Sequence, residues 1–327
     1  LNLIVVPGMT VVVAGSWFGL LVSIGTISLG RFAMLPVGWM LQGYTWLCER
    51  TLELPWNTLV TGEIRGWQIG MWYGGIACTL VLLRTKTRNK LRDFVYKHTG
   101  RFWRKREVVR YTVCTILISM LLQGAGQALC VWQQRTEAIC FLDVGQGDGI
   151  LIRSPDGRNI VIDGGSTSQS KCGTYTLLPA LRSQGMTEID CWFVTHTDED
   201  HISGLKELLL QGKLTQIKVR TVVFSAYVFQ DAALAELEAV IRAAGITIVW
   251  MREGDVIGDD TFTLTCLHPT AEYRAKDKNA ASLALAYHSD TFDMLFTGDM
   301  DADAVADMDI QQDYDLSLIH ISEPTRL

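Results

Sequence analysis

Charged residues are absent from positions 1–30, from 67–83 and from 111–132, and no comparable apolar run follows residue 133. The last two stretches approach or exceed the roughly 17–25 residues that a helix needs to cross a hydrocarbon core. Residues 1–132 are therefore expected to be membrane-embedded helices. Positions 39–56 carry aromatics near Pro36 and Pro55 with few charges, which suits an amphipathic segment at the outer interface, with helix packing an equal alternative. Gln68, Gln123 and Gln127 stand at or within the spans and suit a bundle interior or a pore, a simple bond to a neighbouring helix being the alternative.

Beyond 133 the rhythm shortens to that of a globular domain of strands and helices. Strands are predicted at 138–144, 150–153, 159–162, 189–194, 221–224, 247–251, 261–267, 282–287 and 292–296. Pro155-Asp156-Gly157 reads as a hairpin turn between the second and third. Helices are predicted at 175–184, from near Ser203 through 210, and at 232–244. Strands lead and helices alternate among them, which fits stacked sheets covered by helices. No internal repeat and no low-complexity tract interrupts the pattern.

Charge sharpens this division. Residues 84–110 hold eleven basic residues against Asp93 and Glu107. Between two spans such a loop is expected in the cytoplasm, nucleic-acid contact being the alternative. The span 111–132 then runs outward and places the rest of the chain outside the membrane. Residues 133–327 hold 15 basic and 30 acidic residues, a net −15. A surface of that sign repels a phosphate backbone except where metal ions or a local basic patch reverse the field. The eight cysteines show no CxxC or zinc-ribbon spacing, and no pairing follows from them. The chain starts without Met and lacks a basic leader, so it is expected to be a fragment whose upstream part is missing.

Chemistry concentrates in Thr195-His196-Thr197-Asp198-Glu199-Asp200-His201, directly after an apolar strand. Imidazoles and carboxylates converging from a short turn are what a divalent metal needs. His196 with Asp198, and Asp200 with His201, suit two metals sharing a water that is activated at neutral pH. The alternative is a polar helix start in which Asp198 or Asp200 serves as a cap. Asp163 and Asp299 each follow a buried run beside glycines and are placed to complete or brace such a centre, Asp163 either as a participant or by orienting the histidine turn through hydrogen bonds. Asp148, between glycines, is as well suited to a turn as to catalysis. Gly145 and Gly147 lack the spacing and the lysine of a phosphate-binding loop. His268 and His288 read as ordinary strand-end histidines.

Leu142-Asp143-Val144-Gly145-Gln146-Gly147-Asp148, Asp163-Gly164-Gly165, His196-Thr197-Asp198-Glu199-Asp200-His201 and Thr297-Gly298-Asp299 come in the order of the metallo-β-lactamase superfamily. More closely they resemble the C-terminal domain of ComEC-type DNA-internalisation (competence) proteins, together with the end of that family's membrane channel. The resemblance implies an α-helical membrane segment (1–132) followed by an α/β metallo-β-lactamase-like αββα sandwich (133–315). It implies metal ligation by His196, Asp198, Asp200, His201 and a bridging Asp299, with Asp163 in support. Asp148, Asn279 and Ser282 match positions that contact substrate or shape loops. Two divalent ions, manganese or zinc, are implied, and Asp200 orients the attacking water. The implied partners are a single DNA strand at the outer face, the lipid bilayer and other components of the uptake machinery. The family's metal centre ends with a histidine in an HHGS-like strand end. Residues 316–327 match nothing of this kind, although His320 lies near the expected place, so a truncated domain with a foreign tail is expected.

These readings lead to a multi-pass membrane protein for DNA uptake whose outer domain is a metal-dependent nuclease degrading the strand that is not imported. Two alternatives are a catalytically silent transport or assembly component and a membrane-anchored metallo-hydrolase of a small substrate.

Overall fold

The computed structural model describes residues 2–52, 66–83, 136–308 and 314–318, with a scatter of single residues and pairs between 60 and 125. It divides into two compact units, 1–59 and 60–327.

In the first unit, α1 (Asn2–Gly25) and α2 (Ile27–Leu52) are joined through Thr26 alone and pack on each other. Val12 and Val37 are buried, whereas Val6, Trp17, Phe18, Leu21, Phe32 and Trp39 are exposed. Apolar side chains on the outer faces suit helices solvated by hydrocarbon rather than by water. Among the described residues, one helical segment, Gly8–Gly25, is long and apolar enough to cross a membrane, with a mean hydropathy of 1.7. Residues 39–52 of the expected interfacial segment belong to α2, which contains Pro36. Trp39 and Trp46 stay exposed on it, and 53–56 lie outside the described residues.

In the second unit, α3 (Gly66–Leu83) coincides with the apolar run expected at 67–83, and Gln68 on it is buried. Gln123, Gln127, most of 111–132 and most of the basic loop lie outside the described residues.

The globular part is two facing sheets. The first contains β1 (Ala138–Phe141), β2 (Gly149–Arg153), β3 (Asn159–Asp163), β4 (Glu188–Phe193), β5 (Lys218–Ser225) and β6 (Thr247–Met251) in that order. Its first three strands are antiparallel and β3 through β6 run parallel. The second contains β7 (Val256–Gly258), β8 (Phe262–His268), β9 (Ala284–Ser289), β10 (Asp293–Phe296) and β11 (Leu316–Leu318), in the spatial order β11-β10-β9-β8-β7. Strand alternation assigns the two faces. Ile150, Ile152, Ile160, Ile162, Phe193 and Val223 pack between the sheets against Phe262, Leu264, Leu285 and Phe296. Leu151, Val161, Trp192 and Val222 face the other way, under α4 (Leu178–Ser183), α5 (Glu199–Gln211) and α6 (Ala232–Ala243). On the far side of the second sheet Ala304 of α7 (Ala302–Asp307) packs with Met300, Met308 and Ala284. The order helix, sheet, sheet, helix is the sandwich expected from the sequence.

Two differences bear on the site. The helix expected to open near Ser203 opens at Glu199, because Asp198 takes an extended cap geometry (φ −78°, ψ 149°) and its carbonyl accepts His201 N and Ile202 N. Asp200 and His201 therefore stand on the first helical turn. Leu316–Leu318, expected in a foreign tail, pairs in parallel with β10, so sheet pairing extends three residues past position 315. His320 lies outside the described residues.

Candidate metal centre

Chain reversals at one end of both sheets build the site. β3 ends at Asp163, β4 runs out into Thr195 and His196 ahead of α5, and β10 runs out through Gly298 to Asp299. Leu283 N donates to Thr195 O at 2.9 Å, tying the start of β9 to the turn after β4. Gly298 has φ +54°, and a Cβ there would meet Thr195 at 2.9 Å. Glycine thus lets the Asp299 turn lie directly on the histidine turn.

Asp163 is fully buried and holds φ at +55°, an uncommon conformation for a non-glycine residue. Its Oδ1 accepts Thr195 N at 2.8 Å. Its Oδ2 accepts Thr195 Oγ1 at 2.7 Å and His201 Nδ1 at 2.9 Å. Thr195 has one hydroxyl proton, which goes to the carboxylate, so its oxygen accepts from His196 Nδ1 at 3.1 Å. One carboxylate thus sets both imidazoles with Nδ1 as donor and turns Nε2 of each toward the ligand space. The ring centroids are 4.0 Å apart.

His196 Nε2 is buried without a hydrogen-bond partner, 3.8 Å from Asp198 Oδ2 and 4.0 Å from Asp299 Oδ2. His201 Nε2 lies 3.3 Å from Asp299 Oδ1. Asp299 therefore straddles the two rings, one oxygen toward each. Ligand atoms of His196, Asp200 and His201 lie within 4.8 Å of one another, as do those of Asp148, Asp163 and His201. All six of the positions His196, Asp198, Asp200, His201, Asp299 and Asp163 are thus brought together, and Asp148 joins them.

This donor set fits a divalent cation. A dry imidazole nitrogen without a partner costs about 1–3 kcal/mol, which a ligated ion relieves. Five carboxylates crowded around two imidazoles call for positive charge. Electrostatics divides the two rings. Burial, and then the charge of His201, push the His196 pKa down against the pull of Asp163, Asp299 and Asp198. Burial also acts to lower that of His201, but the charges and hydrogen bonds of Asp163 and Asp299 carry it well above the ordinary value. Without metal, a proton on His201 Nε2 stands toward Asp299.

Asp198 occupies the helix cap position, yet its side chain makes no cap bond. Its Oδ1 instead accepts Lys278 Nζ at 2.9 Å. Lys278 Nζ also meets Asp231 Oδ2 at 2.7 Å, and Asp231 Oδ1 caps α6 by accepting Leu234 N at 2.8 Å. Sequence reasoning does not reach Lys278 or Asp231. Asp231 before an amphipathic run is a readable cap, but no local signal joins Lys278 to Asp198. Ser282 Oγ lies 3.4 Å from His196 Nδ1, and its carbonyl accepts from His268 Nδ1 at 3.1 Å. Asn279 serves through its backbone carbonyl, which accepts Ser282 N at 3.0 Å. Asp148 N donates to Asp200 O at 3.3 Å, so this residue combines a turn role with a carboxylate near His201. His288 is exposed and pairs with Asp293 across the β9–β10 ladder.

A family model described as the metallo-beta-lactamase superfamily matches residues 142–271, and one described as competence protein matches residues 1–86. A similar curated protein is "ComE operon protein 3" of Bacillus subtilis, 30% identical over 174 residues, which are 49% of this chain and 22% of that protein. The chain thus spans about a fifth of the length of that relative. Among solved structures, the metallo-beta-lactamase fold protein YhfI from Bacillus subtilis is similar at 18% identity and a TM-score of 0.31, covering 46% of this chain and 55% of that one. CmlA, a diiron beta-hydroxylase from Streptomyces venezuelae, is similar at 16% identity and a TM-score of 0.30, covering 53% and 32%. A competence-protein segment followed by a metallo-β-lactamase domain, together with the curated relative, supports a ComEC-type competence protein.

Proposed function

We propose that this chain, which joins a competence-protein segment to a metallo-β-lactamase domain, serves DNA uptake across the cell membrane. In this reading its globular domain lies at the outer face and is a metal-dependent phosphodiesterase that degrades the strand left outside. The observation that carries the reading is the assembled centre itself: two imidazoles fixed by one buried carboxylate, with Asp299 straddling them.

His196, Asp198, Asp200, His201 and Asp299 would hold two divalent ions, and Asp163 would orient the rings. Such ions, when bound, supply Lewis acidity for the phosphoryl oxygens and acidify water. An aspartate at 198 hardens the donor set and favours manganese over zinc. Asp200, half-buried on the first turn of α5, would orient the attacking water and receive its proton. His196, kept neutral by burial, would stay available as a ligand at neutral pH.

The test is cleavage of a single-stranded oligodeoxynucleotide by the purified chain in detergent with Mn²⁺ or Zn²⁺, alongside metal analysis. Asp200→Ala is expected to lower the rate by at least about 100-fold. Cleavage that survives this substitution unchanged would overturn the mechanism.

A further inference from the structure

The loop between β8 and β9 crosses the centre and carries Arg274, Lys276 and Lys278, a cation at every second position. This is the densest basic run in a 133–327 region whose net charge is −15. Lys278 is the innermost of the three, held between Asp198 and Asp231 with its side chain 30% exposed. Lys276 pairs with Asp301, two residues beyond Asp299, and remains 61% exposed. Arg274 is exposed, and its guanidinium donates to the carbonyls of Ala271 and Tyr273. The acidic residues on the same loop are Glu272, which is exposed, and Asp277, whose Oδ1 accepts Ala280 N at 2.8 Å.

Two cations are thus clipped to the rims of both turns, and a third stands exposed on the same loop. An anionic strand nearing a centre of five carboxylates is repelled unless fixed positive charge receives it. Ammonium groups already held in place by carboxylates lose little freedom on engaging phosphate.

We propose that Arg274, Lys276 and Lys278 form the track by which this centre grips a polynucleotide strand, with Lys278 seating the phosphodiester beside Asp198. The proposal rests on the phosphodiesterase reading above and adds the surface that takes hold of the substrate. Each phosphate neutralised on a single strand contributes about 0.7 to the slope of log affinity against log salt concentration.

The experiment measures binding of a fluorescent oligodeoxythymidine to the full chain in detergent with Mn²⁺, in an Asp200→Ala background so that the strand stays whole. The variant carrying Arg274→Gln, Lys276→Gln and Lys278→Gln is expected to bind at least about 10-fold more weakly at low salt, with the slope flattened by about 2. Bound manganese is expected to remain at the background level. Arg274→Gln alone, which breaks no ion pair among the described residues, is expected to flatten the slope by about 0.7, and this holds the test open if the triple variant misfolds. Replacing both lysines by arginine is expected to preserve binding. Unchanged affinity and slope, no strand binding by the parent chain, or a loss confined to anionic lipid vesicles would each overturn the proposal. Strand binding that depends on the track in a chain that cleaves nothing would refute the phosphodiesterase reading and leave the track standing. Cleavage with an unaltered slope would do the reverse.

Discussion

Asp163 illustrates how one residue sets the chemistry of others it does not replace. Its three accepted bonds leave it little capacity as a ligand, and its contribution is the orientation of His196 and His201. The raised pKa of His201 has a definite sign. In the metal-free fold the charged ring adds stability that is fully present below the ordinary value of 6.5 and is lost as pH rises through the raised value. Ligation needs Nε2 without its proton, so metal affinity is expected to rise with pH, and binding near pH 7 is expected to release about one proton. Asp163→Asn removes both the charge and one acceptor pattern. It is expected to weaken metal binding by about 10–100-fold and to flatten its pH dependence, measured by calorimetry in buffers of different ionisation enthalpy. Unchanged affinity with full proton release would assign Asp163 a purely structural role.

At the scale of elements, α5 does two things at once. Its apolar stripe of Ile202, Leu205 and Leu208 fastens it to the first sheet, and its first turn presents Asp200 and His201. The helix reaches this position because Gly204 lies against the loop after β3, where a Cβ would come within 2.0 Å of Gly164 O. An alanine in a helix ordinarily gains up to about 1 kcal/mol over glycine. Here the methyl meets backbone, and overpacking costs about 1–3 kcal/mol. Gly204→Ala is therefore expected to lower the apparent melting temperature and to weaken metal binding, because the displaced Gly164 directly follows Asp163. A thermal scan with and without Mn²⁺ reads both effects, and a stabilised variant would show that the loop yields freely. The helix pattern is legible in the sequence, but its start is not: an acidic turn that ligates and an acidic turn that caps have the same composition.

For the whole molecule, the governing feature is the contrast between an apolar, basic first part and an acidic second part. The proposed topology takes the eleven basic residues at 84–110 as a cytoplasmic loop, which would put the acidic domain on the opposite side. A phosphatase reporter joined after residue 135 is expected to be active in cells, and a fluorescent-protein reporter joined within the basic loop is expected to fold and fluoresce. The reverse pattern would place the domain in the cytoplasm and remove the strand-degrading role outside the membrane.

By itself the sequence determined the strands and helices of the stacked sheets and the turn that carries both histidines. Buried strands and amphipathic helices are written in short periods, and His196 to His201 span so few positions that their convergence needs only a turn. It also identified Asp163 and Asp299 as strand-end carboxylates, without fixing what each does. Tertiary structure alone decided that Asp163 orients both rings, through bonds to Thr195 and His201 across 32 and 38 residues of chain, and that Lys278 meets Asp198 across 80. Hydrogen bonds over such separations depend on how two sheets stack and which loop crosses their edge, and no periodicity in the chain encodes that. The division of Asp299 between two imidazoles is of the same kind. It arises where the end of β10 meets the turn after β4, which is a property of the packed sandwich rather than of either segment.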